Sequence, residues 1–267
     1  MVLIAPSGFA TAQGASVGSG ISADLWRSLS EVLSEPVIVE HTISEADVKG
    51  PFADIPPKME DMKNLEALPY SSIQEKLAEK FHMSPELLVA LNPHSNFKKT
   101  GETIMVANVG GKHLDKVTRI EIDKTKQTMK VFGKSEKLLA MYPITAGSKE
   151  KPAPDGTLKV TSIKENPTYH YNPDYAFKSV KSREPFTIKP GPNNPVGSVW
   201  IGLDKKGYGI HGTPEPSKVS KSESHGCIRL TNWDALKLAS VLQKGVPVEF
   251  IGDESERRAS SRQRKRQ

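Results

Sequence analysis

One cysteine occurs in 267 residues, and it stands in the segment Ser224-His225-Gly226-Cys227-Ile228-Arg229-Leu230. His225 lies two residues before it and His211 sixteen before it, followed by Gly212 and Thr213. A free thiol has a pKa of about 8.5 and is only a few per cent thiolate at neutral pH. An imidazole within reach can take the thiol proton and stabilise the thiolate, which is what a cysteine nucleophile requires. Residue 211 must be delivered by the fold, on a hairpin or loop packed against residue 227. Gly226 lets a substrate carbonyl approach the backbone, and neighbouring N–H groups can form an oxyanion hole. His211, His225 and Cys227 are also zinc-ligand types, but the motif holds neither a CxxC partner nor a nearby carboxylate to complete a site. In a papain-like hydrolase the cysteine precedes its histidine, the reverse of the order here. Of the other histidines, His41, His82, His94 and His113 have no such context.

The elements around these residues are mostly strands. Val117 to Ile122, Met129 to Phe132 and Met141 to Ile144 alternate apolar and polar. Asp155-Gly156 turns into a strand over Thr157 to Ile163. Val199 to Leu203 and Tyr208 to His211 are short strands, and six of twenty prolines fall between Pro185 and Pro216, too many for helices. One helix is predicted after Thr231, with Asp234 completing a capping pattern, Trp233, Leu236 and Leu242 as its apolar stripe, and Gly245 as its end. Val246 to Ile251 is a last strand, with Pro247 suggesting an edge. Tyr169, His170 and Tyr171, between prolines, line a cleft, form a lid or simply pack on a loop. Residues 115–252 thus read as a mainly β sandwich with one helix.

Upstream, Ile73, Leu77 and Phe81 fall on one helical face, and Ser84-Pro85-Glu86 starts a second helix that Asn92-Pro93 stops. Thr103 to Val106 is strand-like. Residues 1–60 contain an amphipathic stretch at Ser22 to Leu29, the apolar triplet Val37-Ile38-Val39, and a Pro-rich stretch from Pro51 to Pro57 that reads as a linker. The first 26 residues hold no Lys or Arg, so no positively charged start of a signal peptide is present, although Ala10-Thr11-Ala12 has the form of a cleavage site.

Composition limits the function classes. The net charge is +6, but residues 257–267 alone hold six basic groups and no acidic one, leaving 31 basic against 31 acidic in the rest. The body is neutral, so a nucleic-acid groove is not expected. The tail, residues 253–267, is expected to be disordered and solubilising. No stretch approaches the roughly 18 apolar residues of a membrane span.

Two resemblances follow. Leu87-Leu88-Val89-Ala90-Leu91-Asn92-Pro93, with Gly101 and Ile104, resembles the second half of a LysM glycan-binding module over residues 64–110, without the usual Gly-Asp-Thr opening. Residues 14–29 loosely resemble the end of a peptidoglycan-binding three-helix module. Far more specific, Tyr208-Gly209-Ile210-His211-Gly212-Thr213 with Ser224-His225-Gly226-Cys227-Ile228-Arg229 resembles the signature of the YkuD-type L,D-transpeptidases, supported by Pro154-x-Gly156 before a strand.

That resemblance implies a β-sandwich enzyme that cross-links peptidoglycan. It cleaves between residues three and four of a tetrapeptide stem, holds the donor as a thioester, and passes it to a side-chain amine of another stem. It makes Cys227 the nucleophile, His211 the proton donor and acceptor, and the Gly212 carbonyl the orienter of the ring. His225, Gly226 and Ser224 become supporting residues, and Arg229 a holder of a substrate carboxylate. No metal or cofactor is implied. The partners implied are donor and acceptor stems, with glycan strands for the LysM-like segment. The same cysteine in a hydrolase, or a non-catalytic wall-binding protein, are the competing readings. Reaching peptidoglycan implies a periplasmic or secreted location.

Overall fold

The computed structural model describes residues 36–109, 114–148, 151–175, 180–222, 224 and 226–252. The stretch 22–29, His113, the tail 253–267 and His225 lie outside the described residues. The chain divides into residues 1–38 and a compact unit, residues 39–267.

The described strands are β1 (Ile38–Thr42), β2 (Thr103–Ala107), β3 (Arg119–Asp123), β4 (Thr128–Phe132), β5 (Leu138–Pro143), β6 (Thr145–Ala146), β7 (Gly156–Glu165), β8 (Tyr169–Tyr171), β9 (Phe186–Ile188), β10 (Val199–Leu203), β11 (Gly209–His211), β12 (Ile228–Arg229) and β13 (Pro247–Ile251). The α-helices are α1 (Glu45–Val48), α2 (Met59–Met62), α3 (Ile73–Lys80), α4 (Pro85–Leu91) and α5 (Asn232–Ala239).

Nine strands form one sheet in the order β5-β4-β3-β13-β7-β10-β11-β12-β6. Its two edge strands, β5 and β6, are consecutive in the chain and separated only by Ile144, which is fully buried. The sheet must therefore curl until its edges meet. The ten-residue β7 makes the fold-over possible: residues 156–159 pair with β13, and residues 160–165 pair with β10. The result is two leaves continuous through β7, the mainly β sandwich that the alternating strands predict. Between the leaves lie Ile120, Ile122, Met129, Val131, Ile201, Ile210 and Val248, all fully buried. Burying one such side chain contributes about 1.5–3 kcal/mol.

Two details differ from the sequence reading. Helix α5 ends at Ala239, well before Gly245, although Leu242 still reaches the core. Gly245 instead makes a left-handed turn, φ +88°, and donates its N–H to the Val160 carbonyl at 2.8 Å. Pro247 does not mark an edge: β13 lies inside the sheet, parallel to β3 and antiparallel to β7. Proline is tolerated there because it opens the strand.

Upstream, β1 and β2 pair, and α3 and α4 pack with them around Ile43, Leu77, Met83, Leu88, Phe97, Ile104 and Val106. The second helix starts where expected, and the Ser72 and Ser84 hydroxyls cap the first turns of the two. The strand opposite β2 thus comes from Ile38–Thr42, ahead of the Pro-rich stretch.

Candidate active site

The register of the second leaf explains which residues can meet. Ile163, Ile201, Ile210, Ile228 and Ala146 are successive cross-strand partners and point into the core. Strand side chains alternate, so the adjacent row of partners, Lys164, Trp200, His211, Arg229 and Thr145, faces the other way. Cys227 immediately precedes Ile228 and so belongs to that outer face. His211 shares that face because β11 and β12 are parallel neighbours, with Ile210 opposite Ile228 and His211 opposite Arg229.

Cys227, His211, Ser224 and Arg229 all line one cleft of about 1190 Å³. Ile55 to Met59, Met62, Tyr169, His170, Lys151, Trp200 and Glu215 share its walls. The Pro-rich stretch that reads as a linker thus contributes cleft wall. Of the three residues between prolines, Tyr169 and His170 face the cleft, while Tyr171 is buried and stacks on Phe186 at 4.6 Å.

His211 is buried, and its Nδ1 lies 2.6 Å from the Gly212 carbonyl oxygen. A carbonyl only accepts, so Nδ1 carries the hydrogen and Nε2 keeps its lone pair. The ring also stacks against Trp200, centroids 5.9 Å apart and planes 20° apart. Burial, reinforced by the positive charge of Arg229, pushes the imidazole pKa down to about 3, the Gly212 contact opposing only in part. The imidazole is therefore neutral at physiological pH and able to accept a proton.

The Cys227 thiol donates to the Gly207 carbonyl at 3.6 Å. Burial pushes its pKa up, while a hydrogen bond from the Gly209 backbone and the charges of Lys151 and Arg229 pull the other way. The loop before it is held by Ser224, whose hydroxyl donates to the Cys227 carbonyl at 2.6 Å and whose N–H donates to the Gly147 carbonyl at 3.1 Å. Gly226 has φ +96°, a conformation that L side chains rarely adopt, and a Cβ there would meet Tyr208, Lys151 and the Pro152 carbonyl at 3.1–3.3 Å. Arg229 donates from Nη1 to Ser222 at 3.3 Å, and its buried Nε has no partner among the described residues.

The profile of the L,D-transpeptidase catalytic domain of YkuD type matches residues 117–250, half of the chain. The chain belongs to that family. A Bacillus licheniformis protein provisionally named L,D-transpeptidase YkuD is 28% identical over 177 residues, covering 65% of this chain and 90% of its own. A Bacillus subtilis protein similarly named L,D-transpeptidase YqjB is 33% identical over 122 residues, 44% of this chain and 62% of its own. Among solved structures, an Enterococcus faecium L,D-transpeptidase is 23% identical with a TM-score of 0.39, covering 51% of this chain and 50% of that chain.

Within this L,D-transpeptidase domain, sequence reasoning brought Cys227, His211, Gly212, Gly226, Ser224 and Arg229 to one place. It missed Trp200 and Asn232. Trp200 was legible only as a strand residue, and its role follows from being opposite His211. Asn232 sits directly after the predicted cap Thr231. It is fully buried, and its Oδ1 lies 2.0 and 2.3 Å from where Cβ atoms would stand at Gly197 and Gly212.

Proposed function

We propose that this chain is an L,D-transpeptidase that cross-links peptidoglycan stem peptides through a thioester on Cys227. The observation that carries the reading is the His211 Nδ1–Gly212 contact of 2.6 Å, which leaves Nε2 as a proton acceptor in the cleft that also holds Cys227. Nε2 takes the thiol proton as sulfur attacks the carbonyl of stem residue three. It then gives that proton to the departing amine of residue four, leaving a thioester. An acceptor amine attacks the thioester, gives a proton to His211, and expels the thiol, which recovers its proton. Backbone N–H groups at Gly226 and Cys227 are suited to the oxyanion, and the Arg229 guanidinium to a substrate carboxylate. The motif histidine His225 is assigned a supporting role.

The enzyme is assigned to the cell envelope, periplasmic or secreted, because its substrate is there. The upstream unit is read as a glycan-contacting module of LysM kind. Its two helices between paired strands, and the exposure of Leu87 and Val89 on α4, support this.

The test is intact mass spectrometry after incubation with a tetrapeptide stem and, separately, a carbapenem. A covalent adduct mapped to Cys227, cross-linked stem dimers, and neither with Cys227→Ala are expected. Cross-linked dimers from Cys227→Ala sink the mechanism. Tripeptide as the sole product, with acceptor stems in excess, makes the protein a hydrolase.

A further inference from the structure

Asn232, the first residue of α5, uses both hydrogens of its amide. Nδ2 donates to the Pro192 carbonyl at 3.1 Å and to Glu79 Oε2 at 2.9 Å. Oδ1 accepts from the Ser198 N–H at 2.9 Å. Glu79 belongs to α3 of the upstream unit, and its other oxygen accepts from the Tyr70 hydroxyl at 3.0 Å. Both Glu79 oxygens act as acceptors here, one for the Tyr70 hydroxyl and one for the Asn232 amide, so Glu79 dictates which end of the amide faces it. Flipping the amide would turn its oxygen onto the carboxylate and its NH₂ onto the Ser198 N–H.

The end held away from Glu79 touches the catalytic backbone. Asn232 Oδ1 would lie 2.3 Å from a Cβ on Gly212 and 2.0 Å from one on Gly197, so this oxygen fills the space that both glycines leave open. The Gly212 carbonyl in turn fixes the His211 ring. His82, from the turn after α3, stacks on Trp233 at 5.7 Å, so the same two elements meet at a second point.

We propose that Glu79 is a positioning residue for His211, acting through Asn232 and Gly212, so that the upstream helical unit sets the rate at which Cys227 is acylated. This rests on the reading of Cys227 as nucleophile and His211 as its base.

The experiment uses the full chain and a carbapenem as the acylating probe. The limiting acylation rate and the half-saturating concentration are measured for the wild type, Glu79→Ala, Glu79→Gln, Asn232→Ala and the double alanine variant. Losing one buried hydrogen bond corresponds to roughly a tenfold change. Glu79→Ala is therefore expected to lower the limiting rate about tenfold and leave the half-saturating concentration within about twofold. Glu79→Gln, whose carbonyl still accepts from Asn232, should recover to within about threefold of wild type. The double variant should lose no more than the worse single variant, because both break one chain of contacts.

Glu79→Asp keeps the charge but withdraws the carboxylate by one methylene. It should lose rate in the same direction, and it replaces Glu79→Ala if that variant does not fold. A folded Glu79→Ala or Glu79→Asp with the wild-type limiting rate overturns the inference. So do losses that add in the double variant. No adduct on wild-type Cys227 overturns the nucleophile reading itself, whereas a wild-type adduct with unaffected variants overturns only the role of Glu79.

Discussion

Cys227 and His211 are held as a neutral pair. Burial raises the thiol and lowers the imidazole, so a resting thiolate–imidazolium pair is disfavoured; in the proposed mechanism the proton moves when substrate arrives. Alkylation of the free protein by iodoacetamide should therefore be slow at neutral pH. It should keep rising beyond the ordinary thiol range of about 8.5; a plateau already reached below pH 7 would contradict this. His211→Ala should slow acylation by roughly 10²–10⁴-fold, the usual cost of losing a general acid–base group. A larger loss from His225→Ala than from His211→Ala would reverse the two assignments.

Among the elements, the turn into β12 and the start of α5 are the exacting ones. Gly226→Ala forces a Cβ into a left-handed residue with three neighbours at 3.1–3.3 Å. Acylation should fall steeply while the melting transition moves by no more than a few degrees, because the strain falls on a loop. Loss of the fold rather than of activity would show that the turn also carries the sheet. At α5, the Thr231 hydroxyl accepts from the Asp234 N–H at 3.3 Å and donates to its carboxylate at 2.7 Å. Removing such a cap costs about 1 kcal/mol. Thr231→Ala should show that loss in denaturant melts, and an unchanged midpoint would mean that the core alone holds the helix.

For the whole molecule, pH is the revealing variable. The folded imidazole of His211 titrates near 3, against about 6.5 unfolded, so between these values the unfolded chain binds the extra proton. Its contribution to stability is present above about pH 6.5 and is lost as pH falls toward 3. From pH 7 to pH 5 this amounts to about 2 kcal/mol. Glu79 acts in the opposite sense. Burial raises its carboxyl to about 7, so its contribution is present below the ordinary carboxylate range and fades as pH rises through 7. His211→Gln should thus lose less stability than wild type between pH 7 and pH 5 in urea melts. Equal losses in the two proteins would show that His211 is not the group responsible.

The sequence by itself determined the family resemblance and the candidate residues that carry it. Cys227 is the only thiol, its flanking residues narrow its role, and the alternation in β3, β4 and β5 announces a sheet because the side-chain period is local. Helix starts at Ser84 and Thr231 were legible for the same reason, each cap being a contact within four residues. The two- and three-residue strands β6, β8, β9 and β12 were not legible as strands, since so few residues carry no period. Tertiary structure alone decided that β11 and β12 lie side by side, which aligns His211 with Arg229 on the face that carries Cys227. It also decided that β5 and β6 close the sheet around Ile144, that Pro247 lies inside it, and that Glu79 reaches Asn232. Pairings between distant segments follow from how the whole sheet buries its apolar face, and no local pattern encodes that partner choice.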